Sequence, residues 1–218
     1  MPDQPPELSP HILKAVSGFL IFTDNPSQTE AVFDMADGLR QTDFYTQFIA
    51  YAHSQPAIAQ MLQERYFAPT ADLEQLLTCP PDSLGYHYAA AMKRMGLKPD
   101  FYRRLDVEDD YSYIALRMRQ THDIWHIVTG FGTDLAGELG LQAFTLAQMH
   151  SPLAVAILAA SMMYALKSST PLNPLVEGIQ QGWQIGDKAH PFLAQKWEEQ
   201  WEKPLSQWRA DLNVEAVG

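Results

Sequence analysis

Apolar residues recur along this chain with the spacing of α-helices and nowhere alternate over several residues as they would in a half-buried strand. Three prolines, Pro152, Pro174 and Pro191, stand where each would open a helix, a position at which the missing N–H costs nothing. No stretch combines β-branched residues with a period of two. The pattern therefore predicts an all-α fold.

The predicted helices cover most of the chain. A helix start at Asn25-Pro26-Ser27-Gln28 leads toward Gly38. Further helices are predicted over Phe44–Ala52, Pro56–Tyr66, Ala71–Leu77, Leu84–Met95, Tyr113–Thr129, Asp134–Met149, Pro152–Lys167, Pro174–Lys188 and Pro191–Trp201. A chain of 218 residues can bury one core without disulfides. We predict a flexible N-terminal tail at residues 1–9 and a single-domain multi-helix bundle over residues 10–218.

Charge and composition limit the partners of the chain. Its 26 acidic and 15 basic residues give a net charge of −11, which repels nucleic-acid phosphates and anionic lipid. Cys79 is the only cysteine, so no internal disulfide can form. The N-terminal residues lack the apolar run of a secretory signal, and Leu153–Leu166 is shorter than the about 20 residues of a membrane span. We expect a cytoplasmic protein that binds no nucleic acid.

One predicted helix carries side chains that can ligate a metal. His122 and His126 lie about 40° apart on the same helix face, and Asp123 lies about 60° beyond His126. Imidazoles at this spacing can chelate one metal ion, and a carboxylate beside them adds neutralising charge. Glu138 is a fourth candidate, but on a continuous helix it would lie about 18 Å from His126. The chain therefore has to turn before Glu138 can join the site.

Two glycines supply such a turn. Gly130 and Gly132 can end the first helix, and Thr133 or Asp134 can cap a second helix that carries Glu138 in its first or second turn. The sequence thus predicts a His, Asp, His, Glu site for a divalent cation. Nitrogen and oxygen donors without a thiolate suit Zn²⁺, Fe²⁺ and Mn²⁺, and the residue types do not decide between these ions and Mg²⁺.

A purely structural interpretation of the same residues is available. Histidine pairs at this spacing also occur on ordinary helices, and Asp123 could instead pair with Arg119 on a solvated face. However, Ile124, Trp125 and Ile127 make most other positions of the helix apolar, which is typical of a buried helix. Buried polar groups need partners, and a metal is one partner that satisfies all of them.

Two arginines stand just upstream of this motif. Arg117 and Arg119 could hold an anionic substrate group such as a carboxylate or a phosphate. In the alternative interpretation they balance the acidic residues of the preceding segment, which are Asp106, Glu108, Asp109 and Asp110.

These residues resemble a known family. The stretch Tyr113–His126, followed by Gly130 and Gly137-Glu138, resembles the coenzyme Q biosynthesis protein 4 family, whose signature is His-Asp-x-x-His, eleven residues and Glu. The segment Leu8–Arg65 is similar to its helical N-terminal part. The C-terminal segment is similar in Gly178, Gly182, Gly186, Ala189, Trp197, Glu198, Trp201, Pro204, Leu205, Arg209 and Leu212.

The resemblance implies an all-helical fold with a metal, usually taken as zinc, on His122, Asp123, His126 and Glu138. It further implies work on a polyprenylated benzenoid ring in ubiquinone biosynthesis, with oxidative removal of the ring C1 carboxylate. The partners it implies are other quinone-biosynthesis proteins in a membrane-bound complex. Eukaryotic members carry a mitochondrial presequence, which this sequence lacks, so we expect a bacterial relative that is peripheral at the inner face of the plasma membrane. The sequence does not decide whether two copies of the chain form a homodimer.

A long isoprenoid tail needs an apolar groove between helices. Leu153–Leu166, with Met162 and Met163, and Phe144–Met149 are candidates for its walls, and ordinary core packing is the alternative. A C-terminal group of tryptophans either docks on the core or contacts a membrane or a partner; its members are Trp197, Trp201 and Trp208.

Two functions from different classes follow. In the first, the metal is catalytic and polarises a ring oxygen while the carboxylate leaves, with Arg117 or Arg119 on the anionic group. In the second, the metal is structural and the protein is a non-catalytic scaffold that presents prenyl lipids to partner enzymes. A catalytic metal keeps an open position, whereas a structural one is closed by four protein ligands. An unrelated metal-dependent hydrolase is a third hypothesis and predicts no affinity for prenylated compounds.

Overall fold

The computed structural model describes residues 9–99 and 105–218, and in these ranges all regular elements are helical. The prediction of an all-α fold is confirmed. In chain order the helices are α1 (Pro10–Asp24), α2 (Thr29–Leu39), α3 (Asp43–Ser54), α4 (Pro56–Glu64), α5 (Leu73–Leu76), α6 (Leu84–Met95), α7 (Asp110–Thr129), α8 (Leu135–Met149), α9 (Pro152–Lys167), α10 (Leu172–Lys188) and α11 (Leu205–Asp211), with a 3₁₀ turn at Trp197–Glu199.

Helix α1 was not among the predicted helices. Its start nevertheless follows a familiar rule, because the Ser9 side chain accepts a hydrogen bond from the Ile12 N–H and Pro10 occupies the first turn. Ser9 thus caps α1, while the rest of the predicted tail, residues 1–8, lies outside the described residues. Helix α11 was likewise not predicted.

The predicted helix Pro191–Trp201 is wrong, because only a 3₁₀ turn forms there. Side chains from elsewhere in the chain take up its backbone hydrogen-bonding groups. The Phe192 N–H donates to Gln148 Oε1 at 2.9 Å, and the Gln195 carbonyl accepts from Arg117 Nη2 at 3.2 Å. With those groups satisfied by tertiary contacts, a helix is not needed to pair them.

Helix α7 runs through the centre of the core. Its Trp125 is 1% exposed and makes edge-to-face contacts with Phe144 of α8 and with Phe192. Trp197 and Trp208 are also buried, with ring centroids 4.6 Å apart, so these two tryptophans dock on the core. Nowhere in the described ranges does a helix have the length and apolar character that crossing a bilayer requires.

Helices α8 and α10 pack with their backbones in contact. A Cβ atom on Gly182 of α10 would lie 1.9 Å from the Gly140 carbonyl oxygen of α8, so no side chain larger than hydrogen fits. Helix α9 packs between α8 and the α1–α2 pair. This arrangement places α2, α7, α8 and α9 around a common space, which is described below.

Candidate metal centre

A sharp corner joins α7 to α8, as the two glycines predicted. Gly130 ends α7 with a left-handed φ of 84°, which glycine adopts without strain. Four residues later the Asp134 side chain accepts a 2.8 Å hydrogen bond from the Gly137 N–H and caps α8. Glu138 therefore lies in the first turn of α8 and faces the last turns of α7.

The corner brings three donor side chains together. His122 Nε2 and His126 Nε2 are 3.2 Å apart. Glu138 places Oε1 3.2 Å from His126 Nε2 and Oε2 3.7 Å from His122 Nε2. Among the described residues these donors form the one cluster whose ligand atoms all lie within 4.8 Å of one another.

These separations suit a divalent cation. With metal–donor distances of about 2.0–2.1 Å, two donors of a tetrahedral site lie about 3.3–3.4 Å apart. The three separations of 3.2, 3.2 and 3.7 Å bracket that value. Two imidazole nitrogens and one carboxylate also form a donor set that zinc prefers, so the residues present fit the group that the sequence implies.

A backbone carbonyl orients one of the histidines. His126 Nδ1 lies 3.1 Å from the Phe131 carbonyl oxygen, which can only accept a hydrogen bond. Neutral His126 therefore carries its proton on Nδ1 and leaves the Nε2 lone pair facing His122 and Glu138. Metal-bound histidines characteristically have such a carbonyl or carboxylate on the second ring nitrogen.

The site is electrostatically prepared for a cation. Burial acts to raise the pKa of Glu138, but hydrogen bonds from His122 and His126, together with their charge, outweigh it and hold that pKa at about 2. Burial also acts to lower the pKa of His126, yet its hydrogen bond to Glu138 and the carboxylate charge leave that pKa above the ordinary value. The carboxylate is thus ionised at neutral pH and attracts positive charge.

A cavity of about 490 Å³ opens beside the three donors. The side chain of His126 is only 6% exposed, whereas His122 is 28% and Glu138 40% exposed, and the latter two line the cavity wall. Most of the remaining wall is apolar and includes Val32, Phe33, Ala36, Ile114, Ala115, Met118, Leu139, Leu153 and Ile157. The cavity therefore combines a metal-ligating edge with an apolar interior.

The family comparison follows the same residues. The sequence profile of the family described as coenzyme Q (ubiquinone) biosynthesis protein Coq4 matches residues 8–218. The chain belongs to the Coq4 family. Among solved structures, a Nostoc punctiforme PCC 73102 protein that has been assigned to ubiquinone biosynthesis has a TM-score of 0.84 and 33% identity to this chain, and the match covers 93% of this chain and 98% of that one.

Mitochondrial ubiquinone biosynthesis proteins are also similar to this Coq4-family chain. The COQ4 homologue of Aedes aegypti is 27% identical over 68% of this chain and 54% of its own length. The coq4 protein of Talaromyces stipitatus is 30% identical over 75% of this chain and 58% of its own length. The matched part thus spans less than two thirds of these curated relatives.

Asp123 is not part of the three-donor group. It lies close enough for its charge to favour the protonated form of His126 and so to raise the pKa of that histidine. In this Coq4-family chain, therefore, the structure brings together three of the four predicted ligands, and the assignment of Asp123 as a fourth stays a prediction.

The two predicted substrate-binding arginines have different surroundings. Arg117 is fully buried and forms an ion pair with Glu198, with Nη1 and Oε1 2.8 Å apart, rather than with the acidic segment before α7. Arg119 lines the cavity and places its guanidinium 4.1 Å from the centre of the Phe33 ring. The structure thus brings Arg119, but not Arg117, to the cavity wall.

The predicted groove residues are only partly where the sequence suggested. Leu153 and Ile157 of α9 line the cavity, but Phe144 and Met149 are buried in the core. Met162 packs in a separate cluster with Leu139, Ala165 and Leu175, and Met163 is half exposed. Only one side of α9 therefore faces the cavity.

The sequence patterns did not predict several polar residues of the cavity wall. Arg40, Tyr45, Tyr111 and Gln142 all line it. Arg40 pairs with Asp109 and lies over the Tyr111 ring. The spacing of residues along α2 could have predicted that Arg40 lies at the cavity, because residues three or four positions apart share one face of a helix. The cavity residues at this spacing are Val32, Phe33, Ala36, Asp37 and Arg40.

Proposed function

We propose that this chain acts in ubiquinone biosynthesis by binding a polyprenylated benzenoid intermediate in the cavity and supporting oxidative decarboxylation at ring carbon C1. The observation that carries the proposal is that His122 and Glu138 line the same largely apolar cavity. A ring with a prenyl tail needs both surfaces, because the tail is apolar and the reacting end is polar.

His122, His126 and Glu138 would hold the divalent cation, for which Zn²⁺ is our first choice. Such a cation supplies Lewis-acid polarisation of a substrate oxygen. Three protein donors are the number that catalytic zinc sites use, whereas structural sites are closed by four. The exposure of Glu138 and His122 toward the cavity supports the catalytic interpretation.

The residues of the chain itself bind and orient the substrate. Arg119 provides a positive charge at the cavity wall for the ring carboxylate. The apolar side chains of α2 and α9, among them Val32 and Ile157, exclude water and contact the prenyl tail. In the net reaction the ring carboxylate leaves as CO₂ and a hydroxyl takes its place, so ArCO₂H and half an O₂ give ArOH and CO₂, with dioxygen as the oxidant.

The test compares ligand variants with matched controls. A polyprenyl hydroxybenzoate-type substrate labelled with ¹³C in the carboxyl group is incubated in air with the purified, metal-loaded protein, and labelled CO₂ and ring product are measured by mass spectrometry. We expect His122→Ala and Glu138→Gln to abolish both signals. His87→Ala and Glu177→Gln, which change exposed residues outside the cavity, should retain them.

The non-catalytic scaffold is the alternative outcome of this test. If His122→Ala and Glu138→Gln fold, bind prenyl lipid and turn over substrate like the wild type, the metal centre is not catalytic. A wild type that binds prenyl lipid without any turnover would favour the scaffold, in which other quinone-biosynthesis proteins act on the lipid it presents. We propose such proteins as partners in either case, since the product is an intermediate that must pass to a following enzyme.

A further inference from the structure

The last turn of α7, which carries His126, has every terminal carbonyl bonded. Helix ends leave their last four carbonyl groups without partners inside the helix. Here the His126 carbonyl accepts from the Gly130 N–H at 2.8 Å, and the Thr129 carbonyl accepts from the Val217 N–H at 2.9 Å. The two carbonyls between them accept from one side chain, that of Arg209.

Arg209 binds these two carbonyls with two different nitrogens. Its Nε donates to the Val128 carbonyl at 2.9 Å and its Nη2 to the Ile127 carbonyl at 3.0 Å. A planar guanidinium can satisfy two neighbouring acceptors at once, which a lysine ammonium does less well. Its positive charge also lies at the negative end of the α7 dipole.

Other contacts hold the corner that follows this turn. Gly130 is covered by the C-terminal segment, since a Cβ there would lie 2.5 Å from the Val217 carbonyl oxygen. The next residue, Phe131, is 5% exposed, and a Cβ on Gly140 would lie 2.4 Å from its ring. Phe131 is therefore held between α8 and the end of α7, with its carbonyl on His126 Nδ1.

We propose that Arg209 is a positioning residue for the metal centre, because it binds two carbonyls in the turn of α7 that carries His126. That turn leads directly into the corner whose Phe131 carbonyl orients the imidazole. The inference rests on the proposed metal site. Arg209 is not among the residues that line the cavity, so this role involves no contact with substrate. The side chain acts at a distance, through backbone geometry.

The matched control stands at the opposite end of the same helix. Arg65 pairs with Asp110 in the first turn of α7 and donates to the Asp109 carbonyl at 3.5 Å. Arg65→Met removes an arginine contact from the N-terminal end of α7, far along the helix from His126. A loss of helix stability alone would affect both arginine variants, whereas loss of positioning would affect only the Arg209 variants.

The experiment measures Zn²⁺ affinity by competition with a chromophoric chelator, under conditions where each variant is folded. We expect Arg209→Met to weaken Zn²⁺ binding by about 10- to 100-fold, the effect typical of groups that orient metal ligands. Arg209→Lys keeps the charge and should fold even if Arg209→Met does not; it should lose less affinity. Arg65→Met should bind Zn²⁺ like the wild type.

A second measurement reads the imidazole directly in the metal-free protein. At a pH high enough for the ring to be neutral, ¹⁵N-resolved spectra should show His126 protonated at Nδ1 in the wild type and a mixture of tautomers in the Arg209 variants. Arg209 variants with wild-type Zn²⁺ affinity and an unchanged tautomer would overturn the positioning role alone. Equal losses of affinity in the Arg65 and Arg209 variants would also overturn it. A wild type that binds no Zn²⁺ would overturn the metal site itself and this inference with it.

Discussion

His122 and His126 direct their Nε2 atoms at each other across 3.2 Å, one turn apart on α7. Because Nδ1 of His126 donates to the Phe131 carbonyl, Nε2 presents a lone pair whenever the ring is neutral. His122 Nε2 and the Glu138 carboxylate lie close to this lone pair. Such electron-rich groups form a stable cluster only around positive charge, either a proton or a metal ion. Cation binding at this histidine pair should therefore depend on pH.

The first prediction concerns the pH dependence of metal binding. The pKa of His126 lies above its ordinary value, and a protonated imidazole cannot ligate a metal, so Zn²⁺ affinity should fall as pH is lowered through that raised pKa. Glu138, with a pKa of about 2, stays ionised throughout. Glu138→Gln removes the carboxylate that raises the His126 pKa, so in this variant the Zn²⁺ affinity should begin to fall at a lower pH. The variant should also bind Zn²⁺ more weakly at every pH, because it has lost one ligand. The measurement is the Zn²⁺ dissociation constant between about pH 5.5 and 8.5; an onset at the same pH in both proteins would contradict the assignment.

The second prediction separates the two arginines. Arg117 and Glu198 form an ion pair whose side chains are 0% and 6% exposed. Arg117→Met leaves a buried carboxylate without its partner and should lower the free energy of unfolding by about 3–5 kcal/mol. Changing both residues, in Arg117→Met with Glu198→Gln, should recover part of that loss.

Arg119→Met is the comparison for this prediction, and urea unfolding measures all the variants. Because Arg119 lines the cavity, its loss should reduce substrate binding more than stability. If Arg117→Met unfolds at the same urea concentration as the wild type, the buried ion pair does not hold α7 to the C-terminal segment.

The third prediction concerns the contact between α8 and α10. Gly182→Ala would place a Cβ 1.9 Å from the Gly140 carbonyl oxygen, and backbone has to move to relieve the overlap. We expect a loss of about 3 kcal/mol or more, at the upper end of what overpacking costs. Gly96→Ala is the control. Its φ of 68° strains alanine by about 1–2 kcal/mol, but the added Cβ would meet no heavy atom within 4 Å beyond its own chain neighbours. If urea unfolding shows the same loss of unfolding free energy in both variants, the backbones of α8 and α10 are not in the tight contact described here.

The fourth prediction tests the cavity independently of the metal. We expect prenyl lipid to co-purify with the wild type. Ala115 of α7 lines the cavity, so Ala115→Phe should fill part of it and reduce the amount of lipid that co-purifies. Ala159→Phe places the same ring on the exposed side of α9 and should leave the lipid in place. Mass spectrometry of extracted lipid measures the bound amount, and the Zn²⁺ affinity of both variants should equal that of the wild type. Retention of lipid by Ala115→Phe would place the lipid site elsewhere.

The corner between α7 and α8 could be predicted because its signals are local. Glycine at the end of one helix, a capping Asp134 and the chain length to Glu138 leave few ways to connect the two helices. The helix spacing of His122 and His126 is equally local. The sequence therefore predicts three donors of the site as well as the turn that joins them.

The remaining features depend on distant parts of the chain. The residues from Pro191 to Trp201 form no helix because Gln148 and Arg117 bind their backbone, and neither contact is visible in the segment itself. The partner of Arg117 is Glu198, 81 residues away, rather than a neighbouring acid. The Phe131 carbonyl is a backbone group that every residue type carries, so its role on His126 leaves no trace in the sequence.

Anomalous diffraction from crystals of the metal-loaded protein would locate the bound ion. We expect one strong peak at the metal edge between His122 Nε2, His126 Nε2 and the Glu138 carboxylate, with one side of the ion open to the cavity. It would also show whether Asp123 is a ligand. Absence of a peak at these residues after soaking with Zn²⁺, or Glu138 turned away from both histidines, would contradict the account.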